Sequence, residues 1–222
     1  MDPAVKLLLG RDKNIQEGNL KDKIYLEIFK SIVSGEITPD TIVREKILVE
    51  KYGVSRAPVR EALIQLCSED VMVSMPRFGY KVKPLSKSDI ENVLEFRSAL
   101  EGGLLARFGI NITEAQISEL EKIDELCISH ESKNDFWTHW GYNADFHMTL
   151  MSFSQNDFSY KMLERSMKTL TRAYAQFYWD KWHNIVFPTD TKYHKNIINC
   201  LKQKNIEKTI EYLIKDLGDF GR

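Results

Sequence analysis

The sequence lacks any long apolar run. No stretch of its 222 residues approaches the roughly 18 consecutive apolar residues that a membrane-spanning helix needs. Residues 1–19 contain a short apolar run, but they start acidic and have no small-residue cleavage site, so they make a poor signal peptide. We therefore expect a protein without membrane contact that works in the cytoplasm.

Cysteine is scarce, and the three cysteines present do not form a recognisable set. Cys67, Cys127 and Cys200 are far apart, odd in number and outside any Cys-x-x-Cys pair. This usage is typical of a reducing compartment and indicates no disulfide framework.

The chain also has almost no net charge, −1 at pH 7. Lys and Arg are in slight excess over residues 20–84, and Asp and Glu are in slight excess after them. For a nucleic-acid surface, the position of the charges matters more than their total. The nearly neutral balance therefore does not exclude a nucleic-acid-binding protein. With 43% hydrophobic residues, the chain can form one large domain or two modest ones.

The first 84 residues contain three helical patterns in close succession. Residues 1–19 are polar and predicted to form a mobile arm. Helices are predicted over residues 20–34, 44–52 and 56–66. Ser55 is a typical N-cap for the third helix, which follows the second after a tight turn.

The period of the apolar residues changes after Leu66. In "VMVSMPRFGYKVK", residues 71–83, apolar and polar residues alternate around a Pro-Arg-Phe-Gly turn, which predicts a β-hairpin. Three helices followed by a hairpin over residues 20–84 make a winged helix-turn-helix.

Residues 86–222 have a helical pattern almost throughout. Capping boxes at Ser86–Asp89 and Thr113–Gln116 open two of the helices. Helices are predicted over residues 88–108, 114–130, 133–153 and 157–180, then after Pro188 as far as Lys202, and after the cap Asn205. We therefore expect a mainly α fold, with an N-terminal winged helix-turn-helix of three helices plus a β-hairpin wing and a C-terminal all-α bundle of about six helices.

The third helix begins with polar and cationic side chains. A helix docked in the major groove needs them there, because its N-terminal end reaches base edges and phosphates. Arginine can bind guanine bidentately or clamp a phosphate. The candidate DNA-binding residues are Ser55, Arg56 and Arg60, with Lys46 on the preceding helix and Arg77 and Gly79 in the hairpin turn. The alternative is that Arg56 and Arg60 are solvated surface residues.

The segment "IVSGEITPDTIVREKILVEKYGVSRAPVREALIQLCSEDVMVSMPRFGYKV" resembles the DNA-binding domain of the GntR family of bacterial transcription regulators. It contains the family's "GVSRAPVREAL" in full. Asp40 and Asp70 stand where the family usually has glycine, at turn positions that aspartate tolerates. The resemblance implies that Arg56 and Arg60 are the principal DNA-contacting arginines.

The segment "EFRSALEGGLLARFGI" and the helices after it are similar to the FadR-like (FCD) branch of that family. This branch holds small carboxylic or fatty-acyl effectors in a helical bundle, often beside a metal. Its ligand pattern maps onto Asn143, His147, His194 and Asp216. The two histidines match, whereas Asn143 replaces an aspartate and Asp216 replaces a histidine.

These residue types suit one divalent metal per chain. Residues 143 and 147 lie on one helix face, and His194 shares the apolar stripe of its own helix. Two imidazoles and a carboxylate suit zinc, nickel or manganese, and the Asn143 carbonyl is a weak neutral ligand. His139, four residues before Asn143, extends the row. Without the resemblance, each inward histidine would be interpreted as a hydrogen-bonded core residue.

Arg97 and Arg172 are the candidate effector-binding cations, because apolar helix positions flank both. A buried arginine needs a partner, which for Arg97 is either an effector carboxylate or Glu101 at i+4. The aromatic segment "TRAYAQFYWDKWHNIVF", residues 171–187, is interpreted as core packing or, alternatively, as a wall of the effector pocket.

The sequence therefore predicts a transcription regulator rather than an enzyme. We expect a homodimer on a palindromic double-stranded operator, whose affinity is modulated by a small carboxylate in the bundle, with a metal as its expected companion. One alternative is an effector-independent DNA-binding protein with a vestigial pocket. Another is a metalloenzyme with Asp145 or Asp216 as a base, but no general base is clearly positioned and no HExxH motif is present.

Overall fold

The N-terminal part folds as three helices and a small sheet. The computed structural model describes residues 19–131, 136–182 and 192–219. The elements of this part are α1 (Leu20–Val33), β1 (Ile42–Val43), α2 (Glu45–Tyr52), α3 (Arg56–Ser68), β2 (Met72–Met75) and β3 (Gly79–Val82). The winged helix-turn-helix is confirmed. The predicted arm lies outside the described residues except for Asn19, whose side chain caps α1 by accepting from the Asp22 N–H.

The wing is an antiparallel sheet with strand order β1–β3–β2. The predicted hairpin is present, with Met75 opposite Gly79 and Val73 opposite Lys81. Strand β1 adds a third member by pairing Ile42 with Lys81. The sequence did not predict β1, because a strand of two residues is too short to show an alternating pattern.

The core of the N-terminal part lies between α1 and α3. Tyr25, Ile28 and Phe29 follow the i, i+3, i+4 spacing of one face of α1 and are fully buried. Val59 and Leu63 on α3 are fully buried as well. One face of α3 is thereby fixed in the core, and its opposite face, which begins with the two arginines, is left exposed.

The C-terminal part is a bundle of six helices in the described residues. They are α4 (Lys87–Phe108), α5 (Glu114–Glu131), α6 (Phe136–Ser152), α7 (Asp157–Trp182), α8 (His194–Lys202) and α9 (Ile206–Gly218), with a 3₁₀ turn (Gly109–Asn111) after α4. The capping box of Ser86 and Asp89 is formed, and the Asn205 side chain caps α9. The predicted all-α bundle is confirmed. None of the helices in the described ranges is both long and apolar enough to cross a membrane.

Helix α6 is enclosed by the bundle. It packs against α5 and α7, and residues 143, 144 and 146–151 are all buried. His194 begins α8 and is fully buried beside Ile197 and Leu201. Because α6, α8 and α9 all face this interior, polar side chains on them meet inside the C-terminal part.

Helix α7 packs against both parts of the chain. Leu163, Met167 and Leu170 are fully buried in the core of the bundle, whereas Ala175 packs against the core of the N-terminal part. A single rigid element of 26 residues therefore joins the two parts.

Candidate functional sites

The exposed face of α3 carries the two predicted DNA-binding arginines. The side chains of Arg56 and Arg60 are 72% and 66% exposed. Glu45, in the first turn of α2, lies between them, with carboxylate oxygens 3.6 Å from Arg56 Nε and 4.0 Å from Arg60 Nε. Such exposed pairs contribute little to stability, so both arginines can exchange Glu45 for a phosphate or a base at low cost.

The N-terminus of α3 is arranged for an anion. Ser55 is the N-cap residue in extended conformation, but its side chain makes no capping hydrogen bond. The first-turn N–H groups are therefore not capped by the Ser55 hydroxyl, and helix N-termini attract phosphate. The predicted N-cap position is correct.

The tip of the wing combines a cation with an exposed aromatic ring. Arg77 is exposed and has a φ of 71°, and Phe78 is 60% exposed. Gly79 has a φ of 129°, and a Cβ at this position would lie 2.4 Å from the carbonyl oxygen of Val43. Gly79 therefore allows β1 and β3 to approach closely.

Helix α2 adds two cations beside this surface. Lys46 has a side chain that is 80% exposed and lies 3.8 Å from Glu50. Arg44, the N-cap residue of α2, is exposed next to the Gly79 end of the wing. Arg44 was not among the DNA-binding residues predicted from the sequence. Its position one residue before α2 was the available signal.

A chain of buried ionisable groups crosses the bundle. Arg97 Nε donates to Glu101 Oε1 at 2.7 Å, both on α4. The other oxygen of Glu101 is 3.0 Å from His147 Nδ1 on α6. His147 Nε2 is in turn 3.0 Å from Asp216 Oδ2 on α9. The predicted pair of Arg97 with Glu101 is present, and it is part of a longer network.

His194 approaches the same carboxylate from α8. Its Nε2 is 3.9 Å from Asp216 Oδ1, and its Nδ1 is 3.2 Å from Asp124 Oδ1 on α5. Phe146 stacks on the His194 ring at a centroid distance of 3.8 Å. Ligand atoms of His147, His194 and Asp216 all lie within 4.8 Å of one another. Three of the four predicted metal-binding residues therefore meet in one buried cluster.

A small cavity lies against this cluster. Arg97, Asn143, His147 and Asp216 contribute polar groups to its wall, and Trp140 and Tyr174 contribute aromatic rings. The fourth predicted metal-binding residue, Asn143, thus lies in the same wall. The cavity volume is about 10 Å³, which is room for about one water molecule.

Three buried polar atoms around the cluster have no hydrogen-bond partner among the described residues. They are Arg97 Nη2, His194 Nε2 and Asp216 Oδ1. Buried polar groups without partners are rare and destabilising, so each calls for a physical reason. An imidazole nitrogen opposite a carboxylate oxygen, with a second imidazole beside them, is a donor set that suits zinc, nickel or manganese. The residues therefore fit a divalent metal.

The charges of the network agree with this fit. Burial alone raises the pKa of Glu101, but the Arg97 guanidinium and His147 outweigh it and lower that pKa to about 2. Burial alone lowers the pKa of His147, but the Glu101 carboxylate and the hydrogen bond to Asp216 raise it overall. The space between His147 and Asp216 therefore favours a cation, either a proton or a metal ion.

His139 has other partners. It is 1% exposed, and its Nδ1 donates to the carbonyl oxygen of Cys127 at 3.1 Å. It is not among the residues whose ligand atoms cluster in the described part of the bundle. The expected extension of the metal-binding row to His139 is therefore not supported.

Arg172 lies between the two parts of the chain rather than in the cavity wall. It is 5% exposed, and its guanidinium donates to the backbone carbonyl oxygens of Asp70 at 3.0 Å and of Lys83 at 2.5 Å. Burial lowers its pKa to about 10, against the opposing effect of Asp70. Its predicted role in effector binding is not supported by this position, because its hydrogen bonds go to the N-terminal part.

Other side chains of α7 lie in the same contact. Arg165 Nη2 is 3.0 Å from Asp70 Oδ2, and Gln176 binds both the N–H and the carbonyl oxygen of Leu85. Asp70 has a φ of 57°, which confirms that aspartate tolerates this turn. Asp70, which follows the end of α3, therefore contacts both Arg165 and Arg172 of α7.

Comparison with known proteins assigns both parts. Residues 20–82 match the family described as bacterial regulatory proteins, gntR family, and residues 92–216 match the FCD domain. The chain belongs to the GntR family. It is an FCD-domain member of that family, a DNA-binding transcription regulator and not an enzyme.

Curated relatives agree with this assignment. The HTH-type transcriptional repressor RspR of Escherichia coli K12 is 28% identical over 212 residues, covering 91% of this chain and 89% of that protein. The gluconate operon transcriptional repressor of Bacillus subtilis is 31% identical over 134 residues, covering 59% of this chain and 55% of that protein. The E. coli McbR/YncC structure has a TM-score of 0.74 at 20% identity, over 90% of this chain and 94% of that one, which shows the shared fold.

Proposed function

We propose that this GntR-family regulator is controlled by a small carboxylate that binds beside a divalent metal in the FCD domain. It would act in the cytoplasm as a homodimer and a repressor on a palindromic double-stranded operator. The observation that carries the proposal is the buried, unpartnered Arg97 Nη2 in the wall of a cavity that also exposes the His147–Asp216 pair.

The metal would be held by His147, His194 and Asp216, with Asn143 as a neutral fourth ligand. The first three already have their ligand atoms close together, and two of these atoms have no other partner in the described residues. When bound, the ion supplies a positive charge and an open coordination position for an anionic group. Zinc, nickel and manganese all suit this donor set.

Arg97 would bind the effector carboxylate. Its Nε is held by Glu101 at 2.7 Å, which fixes the guanidinium and leaves Nη2 for a ligand. Charge-assisted hydrogen bonds from arginine to carboxylate are among the strong ones. Trp140 and Tyr174, whose ring centroids are 4.8 Å apart, form the apolar side of the same wall.

Helix α7 gives a physical route from the cavity to the DNA-binding domain. A cavity of about 10 Å³ has no room for an organic acid, so binding requires its wall to move. Tyr174 belongs to that wall and Arg172, two residues away, fastens α7 to Asp70 and Lys83. A displacement of α7 would therefore change how α3 is held, and operator affinity would change with it.

The DNA surface would consist of the exposed cations around α3. Arg56 and Arg60 with Ser55 would enter the major groove, Lys46 would contact the backbone, and Arg77 beside Gly79 would reach the minor groove. In a dimer, two such helices read half-sites about one helical turn apart. Repression follows the named activity of the relatives from E. coli and B. subtilis.

The test is operator affinity measured by fluorescence anisotropy, using a duplex selected by the protein from random sequences. Wild-type protein loaded with zinc is titrated with a series of small mono- and dicarboxylic acids. We expect at least one acid to change the operator affinity, and Arg97→Leu to abolish this response. Arg107→Leu, on the exposed face of the same helix, is the matched control and keeps it. An undiminished response in Arg97→Leu contradicts the assigned effector site.

A second function is favoured by the small size of the cavity. A protein that binds its operator independently of any effector needs no pocket, and 10 Å³ admits little more than a water molecule. Operator affinity that is indifferent to every metal and acid tested would support this alternative. DNA binding itself is common to both.

A further inference from the structure

We propose that Asp124 and Glu101 are positioning residues of the metal site, each orienting one of the two histidine ligands. Neither would touch the ion. The inference rests on the metal site of the proposed function and adds to it two residues, both on helices (α4 and α5) that contribute no ligand. It concerns how the imidazoles are held rather than which groups bind the metal.

Asp124 is the stronger case, because it is a buried carboxylate that contacts an imidazole of the cluster. It is 3% exposed, on a face of α5 that also buries Leu120 and Cys127. A buried carboxylate is costly without a hydrogen-bonded or charged partner. Asp124 has such a partner in His194, whose Nδ1 lies 3.2 Å from Asp124 Oδ1.

Glu101 makes the same contact with the other histidine. It is fully buried, and its Oε2 is 3.0 Å from His147 Nδ1 while Arg97 holds its other oxygen. The two histidines lie on different helices, and so do the two carboxylates. The same arrangement therefore occurs twice in one cluster.

The chemical consequence is the same for both rings. An imidazole that donates its Nδ1–H to a carboxylate keeps its lone pair on Nε2 and becomes a better metal ligand. In both rings it is Nε2 that faces Asp216, at 3.0 Å for His147 and 3.9 Å for His194. Fixing Nδ1 thus points both metal-binding nitrogens at one place.

The charges give an independent reason. With Asn143 in place of the family's aspartate, the proposed ligand set contains Asp216 as its single carboxylate. Asp124 and Glu101 add two buried negative charges next to it, and Arg97 offsets one. The net charge of Asp216, Asp124, Glu101 and Arg97 together is −2, which balances a divalent cation. The single carboxylate of the ligand set does not balance it.

The test is the affinity of the full-length, metal-free protein for Zn²⁺, measured by competition with a chelator of known affinity. Asp124→Asn keeps the shape of the side chain and removes its charge, and Asp124→Ala removes the hydrogen bond as well. We expect roughly 10-fold weaker binding for the first and up to about 100-fold for the second. Glu125→Gln, the exposed neighbour on α5, is the control and should bind as the wild type does.

The melting temperature of the metal-free variants separates orientation from general stability. If Asp124→Asn binds zinc like the wild type and only melts lower, Asp124 merely stabilises helix packing and the inference is overturned, while the metal site stands. If the wild type binds no divalent metal, the metal site and the inference fail together.

A measurement on the wild type alone covers the case in which the variants do not fold. Long-range ¹H–¹⁵N NMR of the zinc-loaded protein identifies which nitrogen of each histidine carries the proton. We expect Nδ1 to be protonated and Nε2 to be metal-bound in both His147 and His194. Coordination through Nδ1 of either ring overturns the inference for its carboxylate partner.

Discussion

Replacing Arg172 with alanine should loosen the contact between the two parts of the chain. Arg172 is 5% exposed and donates to two backbone carbonyl oxygens, those of Asp70 and Lys83. A hydrogen bond from a charged donor contributes about 1.5–3 kcal/mol, and the two contributions are not additive. Because both carbonyl groups also lose their donor, we expect the unfolding free energy to fall by about 3 kcal/mol.

The assay is urea unfolding followed by circular dichroism, with Arg165→Ala as the matched control on the same helix. Arg165 also contacts Asp70, at 3.0 Å, but its side chain is 50% exposed. An exposed ion pair contributes about 0–1 kcal/mol, so this variant should stay close to the wild type. If the two substitutions lower the unfolding free energy equally, the buried hydrogen bonds of Arg172 do not stabilise the contact between the domains as we infer.

The same variant tests the proposed coupling. If α7 transmits effector binding through Arg172, Arg172→Ala should still bind the operator, but its affinity should respond less to the acid that affects the wild type. A full response in this variant would show that the signal reaches the DNA-binding domain by another route.

Three further predictions concern the DNA surface, the wing and the metal. Arg56→Ala and Arg60→Ala should each weaken operator binding by roughly 1–3 kcal/mol in an anisotropy titration, and unchanged affinity in both would remove α3 from the interface. Gly79→Ala should lower both the melting temperature and operator affinity, since its Cβ would lie 2.4 Å from the Val43 carbonyl oxygen; wild-type values for both would contradict that contact. Zinc at 100 times its dissociation constant should stabilise the wild type by about 2.7 kcal/mol and His147→Ala much less, and equal stabilisation would place the zinc elsewhere.

The elements with strong local signals could be predicted from the sequence. The capping box of Ser86 and Asp89 marks the start of α4, and the turn before Gly79 marks the hairpin. Strand β1 could not be predicted, because its two residues become a strand only by pairing with β3. Its formation depends on the tertiary fold and not on a local pattern.

The candidate metal site could be predicted only in part, because some of its contacts depend on the tertiary fold. The family pattern predicts His147, His194 and Asp216 as ligands, and their ligand atoms lie close together in the structure. The contact between Asp124 and His194 joins residues 70 positions apart, so no spacing in the sequence indicates it. The apolar positions that flank Arg172 correctly indicated that this arginine is buried. Its partners could not be predicted, because they depend on how α7 packs against the N-terminal part.

The most direct test of the central claim is the metal content of untagged protein purified without a chelator, measured by elemental mass spectrometry. The proposed site predicts close to one zinc, nickel or manganese ion per chain in the wild type and almost none in the His147→Ala, Asp216→Ala double variant. A wild type without metal, or a double variant that retains it, would contradict a metal-centred effector site in the FCD domain.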